Sequence, residues 1–156
     1  LLRRSQNDGA VPRAQERPVV LLDTIGELAA CWGLANVAFV GGSLGNRGGK
    51  NMIEPAAYGA AVLFGPNTQN FQDVVDELLE RGGARVVGDG AALTQRLQEL
   101  LDDPSTANAL GEAARGLVLA RQGATESTLD ILQELLPSET LDSTTRHGDP
   151  AAADAA

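Results

Sequence analysis

The sequence predicts an α/β fold: a Rossmann-like parallel sheet with helices on both faces. Two observations carry this. Short apolar, β-branched runs alternate along the chain with longer segments of helical periodicity. The apolar runs are also continuous rather than alternating with polar residues, as strands buried on both faces require. At 156 residues and 43% hydrophobic content, the chain is long enough for one real core and short for two.

Residues 1–17 are polar and read as a loop or a truncated edge, with Arg3, Arg4, Arg13 and Arg17 against Asp8 and Glu16. Pro18-Val19-Val20-Leu21-Leu22 is the first apolar run and predicts a buried strand. Asp23-Thr24 start a helix expected over Ile25 to Leu34. Val37-Ala38-Phe39-Val40 is the second strand, ended by Gly41-Gly42. After a glycine-rich loop to Lys50, Asn51 is placed to cap a helix running to about Tyr58, and Pro55 sits harmlessly in its first turn. Ala61-Val62-Leu63-Phe64 is the third strand, closed by Gly65-Pro66. From Asn70, the residues Phe71, Val74, Val75, Leu78 and Leu79 follow helical spacing until Gly82-Gly83. Ala84-Arg85-Val86-Val87 predicts a shorter fourth strand. Helices are expected over 91–101, 105–121 and 124–136, with Pro137 as the stop. These divisions give a binding domain over 1–136 and a disordered Ser, Thr, Asp and Ala tail over 137–156.

Composition excludes several functions. A net charge of -9 argues against binding nucleic acid by phosphate neutralisation, and 3% aromatic residues leave no base-stacking platform. One cysteine, Cys31, and one histidine, His147 in the polar tail, build neither a zinc site nor a His-based triad, so no metal is expected. No run approaches the ~20 apolar residues of a membrane-spanning helix, and no charged-then-apolar leader opens the sequence. A soluble, cytoplasmic domain is the expectation. Leu1 as first residue, with Met52 as the one methionine, points to a fragment or processed product.

In open parallel sheets, ligands bind beyond the carboxyl ends of the strands. The segment there with most chemical content runs from Gly41 to Glu54. It holds Gly41, Gly42, Gly45, Gly48 and Gly49, then Lys50, the one lysine of the chain, and opens a helix at Asn51. Backbone N–H groups freed by glycine and a helix N-terminus together suit a phosphate or carboxylate. A flexible surface turn would look the same. Glu54, one turn further on, would repel a phosphate but could accept two ribose hydroxyls; it could equally be an acidic residue favouring the helix dipole. Glu27 carries the same ambiguity. The loop is neither a Walker A nor a dinucleotide fingerprint.

Four motifs, in order and spacing, resemble the 3-deoxy-D-manno-octulosonic acid (Kdo) transferases. They are Leu22-Asp23-Thr24-Ile25-Gly26-Glu27-Leu28, Val37-Ala38-Phe39-Val40-Gly41-Gly42-Ser43-Leu44, Arg47-Gly48-Gly49-Lys50-Asn51-Met52-Ile53-Glu54-Pro55-Ala56-Ala57, and Val62-Leu63-Phe64-Gly65-Pro66-Asn67-Thr68-Gln69-Asn70-Phe71. The resemblance spans roughly residues 3 to 136. It implies the C-terminal, donor-binding half of a GT-B glycosyltransferase that transfers Kdo from CMP-Kdo to a lipid A precursor, with inversion and without a metal or other cofactor. It places the parent protein at the cytoplasmic face of the inner membrane, with its catalytic base and membrane contact in a preceding N-terminal domain. The chain alone is then expected to be inactive, with no catalytic residue of its own.

The resemblance assigns CMP contacts to Ile25, Gly26 and Glu27, and to Asn51, Met52, Ile53 and Glu54. With the loop residues Gly41, Gly42, Ser43, Gly48, Gly49 and Lys50, these form the expected CMP-Kdo site. Lys50 stands where the family has histidine, and Met52-Ile53 where it has proline-leucine. The first change puts any proton-handling role of that side chain in doubt. The alternatives are a GT-B domain for a UDP- or GDP-sugar, or a nucleotide-binding module without catalysis.

Overall fold

The structure is a computed structural model that describes residues 1–6 and 18–135. Its strands are β1 (Leu2–Arg3), β2 (Val20–Leu21), β3 (Val37–Val40), β4 (Ala61–Phe64) and β5 (Ala84–Val86). Its helices are α1 (Leu28–Trp32), α2 (Ile53–Ala57), α3 (Gln72–Glu80), α4 (Gly90–Asp102), α5 (Pro104–Ala120) and α6 (Ala124–Leu135). All described strand pairs are parallel, in two sheets: β1-β2 and β3-β4-β5. Residues Leu1–Ala120 form one compact unit, and the chain from Arg121 a second.

The larger sheet is covered on both faces, as its continuous apolar strands require. Alternate side chains of a strand point to opposite faces. On β4, Val62 and Phe64 pack with Val40, Met52, Ala56, Val75, Leu78, Ala84, Ala114 and Leu117. Ala61 and Leu63 point the other way, into a cluster with Leu100, Ala107 and Leu110 that Val37, Phe39, Leu93 and Leu97 border. One helix, α5, therefore contributes to both faces. It crosses beside the amino ends of β4 and β5, where a Cβ on Gly83 would lie 2.7 Å from the Ala114 backbone, and one on Gly111 would overlap the Gly59 carbonyl.

At residues 1–6 the edge alternative holds: Leu2–Arg3 pair with β2, and Arg4–Gln6 form a 3-10 turn. Several elements depart from expectation. The Pro18–Leu22 run yields only two strand residues, and Val20 and Leu21 are 55% and 40% exposed rather than buried. Val20 and Leu21 pair with β1 along one edge, and their side chains remain largely exposed. The helix expected from Ile25 begins three residues later, because Gly26 turns the chain at φ 90°. The helix expected from Asn51 begins at Ile53, and Asn51 Oδ1 accepts the Ile53 N–H at 3.0 Å from two positions outside it. The remaining strands and helices lie within a residue or two of expectation. Calls on residues 7–17 and 136–156, including the tail, lie outside the described residues.

Helix α5 starts on an acidic cap. Asp103 accepts from the backbone N–H groups of Ser105 and Thr106 at 3.1 and 3.2 Å, and from both hydroxyls. The Ser105 hydroxyl, with that of Thr106, lowers the Asp103 pKa from 3.8 to about 2.

Two outcomes follow from α5. Gly111→Ala should lower stability by roughly 1–2 kcal/mol, because overpacking against a backbone carbonyl outweighs the ~1 kcal/mol gain in helix propensity. Gly116→Ala on the same helix, with nothing within 4 Å of the added Cβ, should instead stabilise by up to ~1 kcal/mol; denaturant titration of both variants checks the contrast. The Asp103 cap has a depressed folded-state pKa, so its contribution is complete above pH 3.8 and is lost as pH falls towards about 2. Melting curves of wild type and Asp103→Ala should therefore differ most at neutral pH and converge over that acid window.

Candidate functional site

Two cavities flank α1. One, of about 410 Å³, lies at the carboxyl end of β3 and is lined by Leu28, Trp32, Phe39, Val40, Gly41, Lys50, Asn51 and Glu54. The other, of about 570 Å³, lies on the β2 side and includes Arg4, Val20, Leu22, Glu27, Leu28 and Cys31 in its walls. Leu28 and Trp32, four residues apart, share the helix face that looks onto the first cavity.

Polar groups of the first cavity converge on Glu54, in the first turn of α2. Its Oε1 accepts from Asn51 Nδ2 at 3.0 Å, and its Oε2 accepts from Trp32 Nε1 at 3.3 Å. Phe39 and Leu28 supply apolar walls, and the exposed Lys50 a positive charge. A mostly apolar cavity with a few convergent polar groups is the usual form of a small-molecule site, and 410 Å³ falls in the usual size range.

The glycine-rich loop is tied down rather than free. Gly49 N–H donates to the Gly42 carbonyl at 3.2 Å, and Asn70 N–H to the Gly48 carbonyl at 3.1 Å. The Asn70 side chain donates to the Arg47 carbonyl at 3.0 Å and lies against Gly48, where a Cβ would come within 2.5 Å of Asn70 Nδ2. Gly48 and Gly49 adopt φ of 79° and 81°, so conformation favours glycine at both, and at Gly48 space does as well. Ser43 is fully buried beneath the loop. Its hydroxyl donates to the Val40 carbonyl at 2.6 Å and accepts from Gly65 N–H at 2.8 Å.

The expected site residues thus divide. Gly41, Lys50, Asn51 and Glu54 line the β3 cavity. Gly42, Ser43, Gly48 and Gly49 build the loop behind it, Met52 is buried in the core, and Ile53 is exposed beside it. Ile25 is 102% exposed, and Gly26 turns the chain into α1; neither lines either cavity. Glu27 lines the other cavity, where its carboxylate accepts from Thr24 and pairs with Arg4 at 2.8 Å. The Thr24 hydroxyl, then Arg4, hold its carboxyl below the ordinary glutamate range. Trp32, Leu28 and Phe39 were missed by the sequence reading; the signal was the Leu28/Trp32 spacing, indistinguishable there from a core face.

No protein-family model matches the sequence. Curated proteins do. The chain is 40% identical over 118 residues to a 3-deoxy-D-manno-octulosonic acid transferase of Bordetella pertussis, covering 76% of this chain and 28% of that protein. It is 35% identical over 136 residues to the 3-deoxy-D-manno-octulosonic acid transferase of Haemophilus influenzae, covering 86% and 31%. Among solved structures, the C-terminal CMP-Kdo binding domain of WaaA from Acinetobacter baumannii matches with a TM-score of 0.61 and 33% identity, over 65% of this chain and 53% of that one.

The chain belongs to the Kdo transferase family.

It spans less than a third of the length of the curated family members it matches. The parallel sheets flanked by helices agree with the likeness to the solved CMP-Kdo binding domain.

Ser43 offers a direct check on which loop residues are structural. Ser43→Ala should destabilise the fold by roughly 1–3 kcal/mol, because the buried Gly65 N–H loses its acceptor. Chemical denaturation measures this, and a loss of nucleotide affinity with unchanged stability would instead make Ser43 a ligand contact.

Proposed function

We propose that this chain is the donor-binding part of a Kdo glycosyltransferase and holds the CMP portion of CMP-Kdo in the cavity between α1 and Lys50–Glu54. The observation that carries this reading is Glu54: at a cavity beyond the carboxyl end of a parallel strand, the Trp32 indole reaches one of its oxygens from α1, and the neighbouring Asn51 donates to the other. A residue serving only the dipole of its own helix has no need of the Trp32 indole on another element. The likeness to a solved CMP-Kdo binding domain supports the choice of nucleotide.

In this reading the Glu54 carboxylate accepts the two ribose hydroxyls, and Lys50 and the Gly41 backbone face the phosphate side. Ile25, Gly26 and Glu27, at the entry to α1, form a second patch of donor contacts. The loop residues Gly42, Ser43, Gly48, Gly49, Met52 and Ile53 act by setting the position of Lys50, Asn51 and Glu54. The binding domain runs over residues 1–136, followed by a tail over 137–156. The whole enzyme is a GT-B glycosyltransferase that transfers Kdo to a lipid A precursor with inversion, at the cytoplasmic face of the inner membrane. Its base and membrane contact belong to another domain; among the described residues here, no helix is long and apolar enough to cross a membrane.

Calorimetric titration with CMP, UMP and GMP tests the reading, with CMP expected to bind most tightly. Glu54→Gln should then cost about 1.5–3 kcal/mol in CMP binding, the range for charged hydrogen bonds. If Glu54 serves only the helix dipole, the variant should lose roughly 0.3–1 kcal/mol of stability and keep its CMP affinity.

A further inference from the structure

We infer that Trp32 is a positioning residue: its indole N–H, together with Asn51, fixes the Glu54 carboxylate as a preorganised acceptor for a cis-diol. This rests on reading the β3 cavity as the CMP site, and it adds a residue from a different element.

A carboxylate offers about four lone-pair sites on its two oxygens, and its terminal torsion is broad and roughly two-fold. A free glutamate therefore presents its oxygens in many directions. Here each oxygen takes one N–H: Oε1 from Asn51 at 3.0 Å and Oε2 from Trp32 at 3.3 Å. The Asn51 amide cannot turn freely, because its Oδ1 accepts the Ile53 N–H at 3.0 Å, which leaves Nδ2 to face Glu54. The indole has a single donor and no acceptor. Two donors, one from α1 and one from the loop before α2, thus fix the plane of the carboxylate. On each oxygen they leave lone-pair capacity, which matches the two O–H donors of a ribose. Fixing an acceptor before binding lowers the ordering cost of complex formation.

Trp32 is also the one tryptophan of the chain, so its emission reports on the surroundings of this one indole, Glu54 among them. Without nucleotide, Glu54→Gln should change the emission maximum, since the indole loses its charged acceptor; an unchanged spectrum overturns the contact. The second measurement is calorimetric titration with CMP of wild type, Glu54→Gln, Trp32→Phe and the double variant. Phenylalanine keeps an aromatic ring in the wall and removes the donor with the smaller ring of the indole, so the double variant and the diol-free nucleotide separate loss of the donor from loss of volume. Trp32→Phe should weaken CMP binding about three- to tenfold, the effect of one ordinary hydrogen bond. On the Glu54→Gln background the same change should cost less than about twofold, because positioning acts through Glu54. With 2′,3′-dideoxycytidine monophosphate, which lacks the diol, the Trp32→Phe effect should likewise vanish. Equal losses on both backgrounds would make Trp32 a direct nucleotide contact and overturn the inference. So would unchanged CMP affinity in a folded Trp32→Phe variant whose Glu54→Gln counterpart is weakened. If Glu54→Gln itself leaves CMP affinity intact, the reading of the cavity falls first, and the positioning role with it.

Discussion

The arrangement beyond β3 depends on one buried hydroxyl. Ser43 Oγ bridges the last carbonyl of β3, on Val40, to the first N–H past β4, on Gly65. Strand ladders end at these points, and a parallel pair leaves its terminal groups without ladder partners. The serine satisfies one from each strand, and its carbonyl takes the Asn67 N–H at 2.9 Å. The two loops are thereby held in contact closely enough that a Cβ on Gly65 would lie 2.6 Å from the Ser43 carbonyl carbon. Everything that follows Ser43, including the return of the loop at Gly49 and the start of α2, is laid down on this junction.

From it the cavity acquires its shape in stages. Asn70 pins Arg47 and Gly48, Gly49 returns to Gly42, and Met52 anchors the entry to α2 in the core below. Lys50, Asn51 and Glu54 are left on the outer side, facing α1. The polar groups are carried on a segment with few regular turns, but its backbone is tied at both ends to the sheet. A site built in this way combines the access of a loop with the fixed geometry of a strand end.

Much of this was legible in the sequence where the signal was local. Ala61–Phe64 is a four-residue apolar run and became the central strand, buried throughout. Phe71, Val74, Val75 and Leu78 kept to helical spacing and packed as that spacing requires. Long-range requirements were not legible. The glycines at 48 and 49 read as room for a ligand, but Gly48 is demanded by a side chain 22 residues further on. Leu2–Arg3 is too short a strand to show any period, and its partner run carries the same apolar pattern whether covered or exposed. Glu54, which lines the cavity, stood out in the sequence because it follows the glycine loop and lies in a recognisable motif. Trp32 did not, since a residue on an apolar helix face carries no local mark of the hydrogen bond it makes across a cavity.

The placement of α5 bears on how the protein is made. The larger sheet is complete by Val86, yet both of its faces use side chains from α5, from Ala107 through Leu117. A nascent chain emerging amino end first, at ~5–20 residues per second, holds all three strands before the helix that closes either core exists. During that interval the apolar strands have no complete covering layer, and parallel pairing, which relies on non-local contacts, gains little before the covering arrives. Synthesis of this domain thus has a commitment point late in the chain, and its exposure to misassembly is governed by how soon that single helix leaves the ribosome.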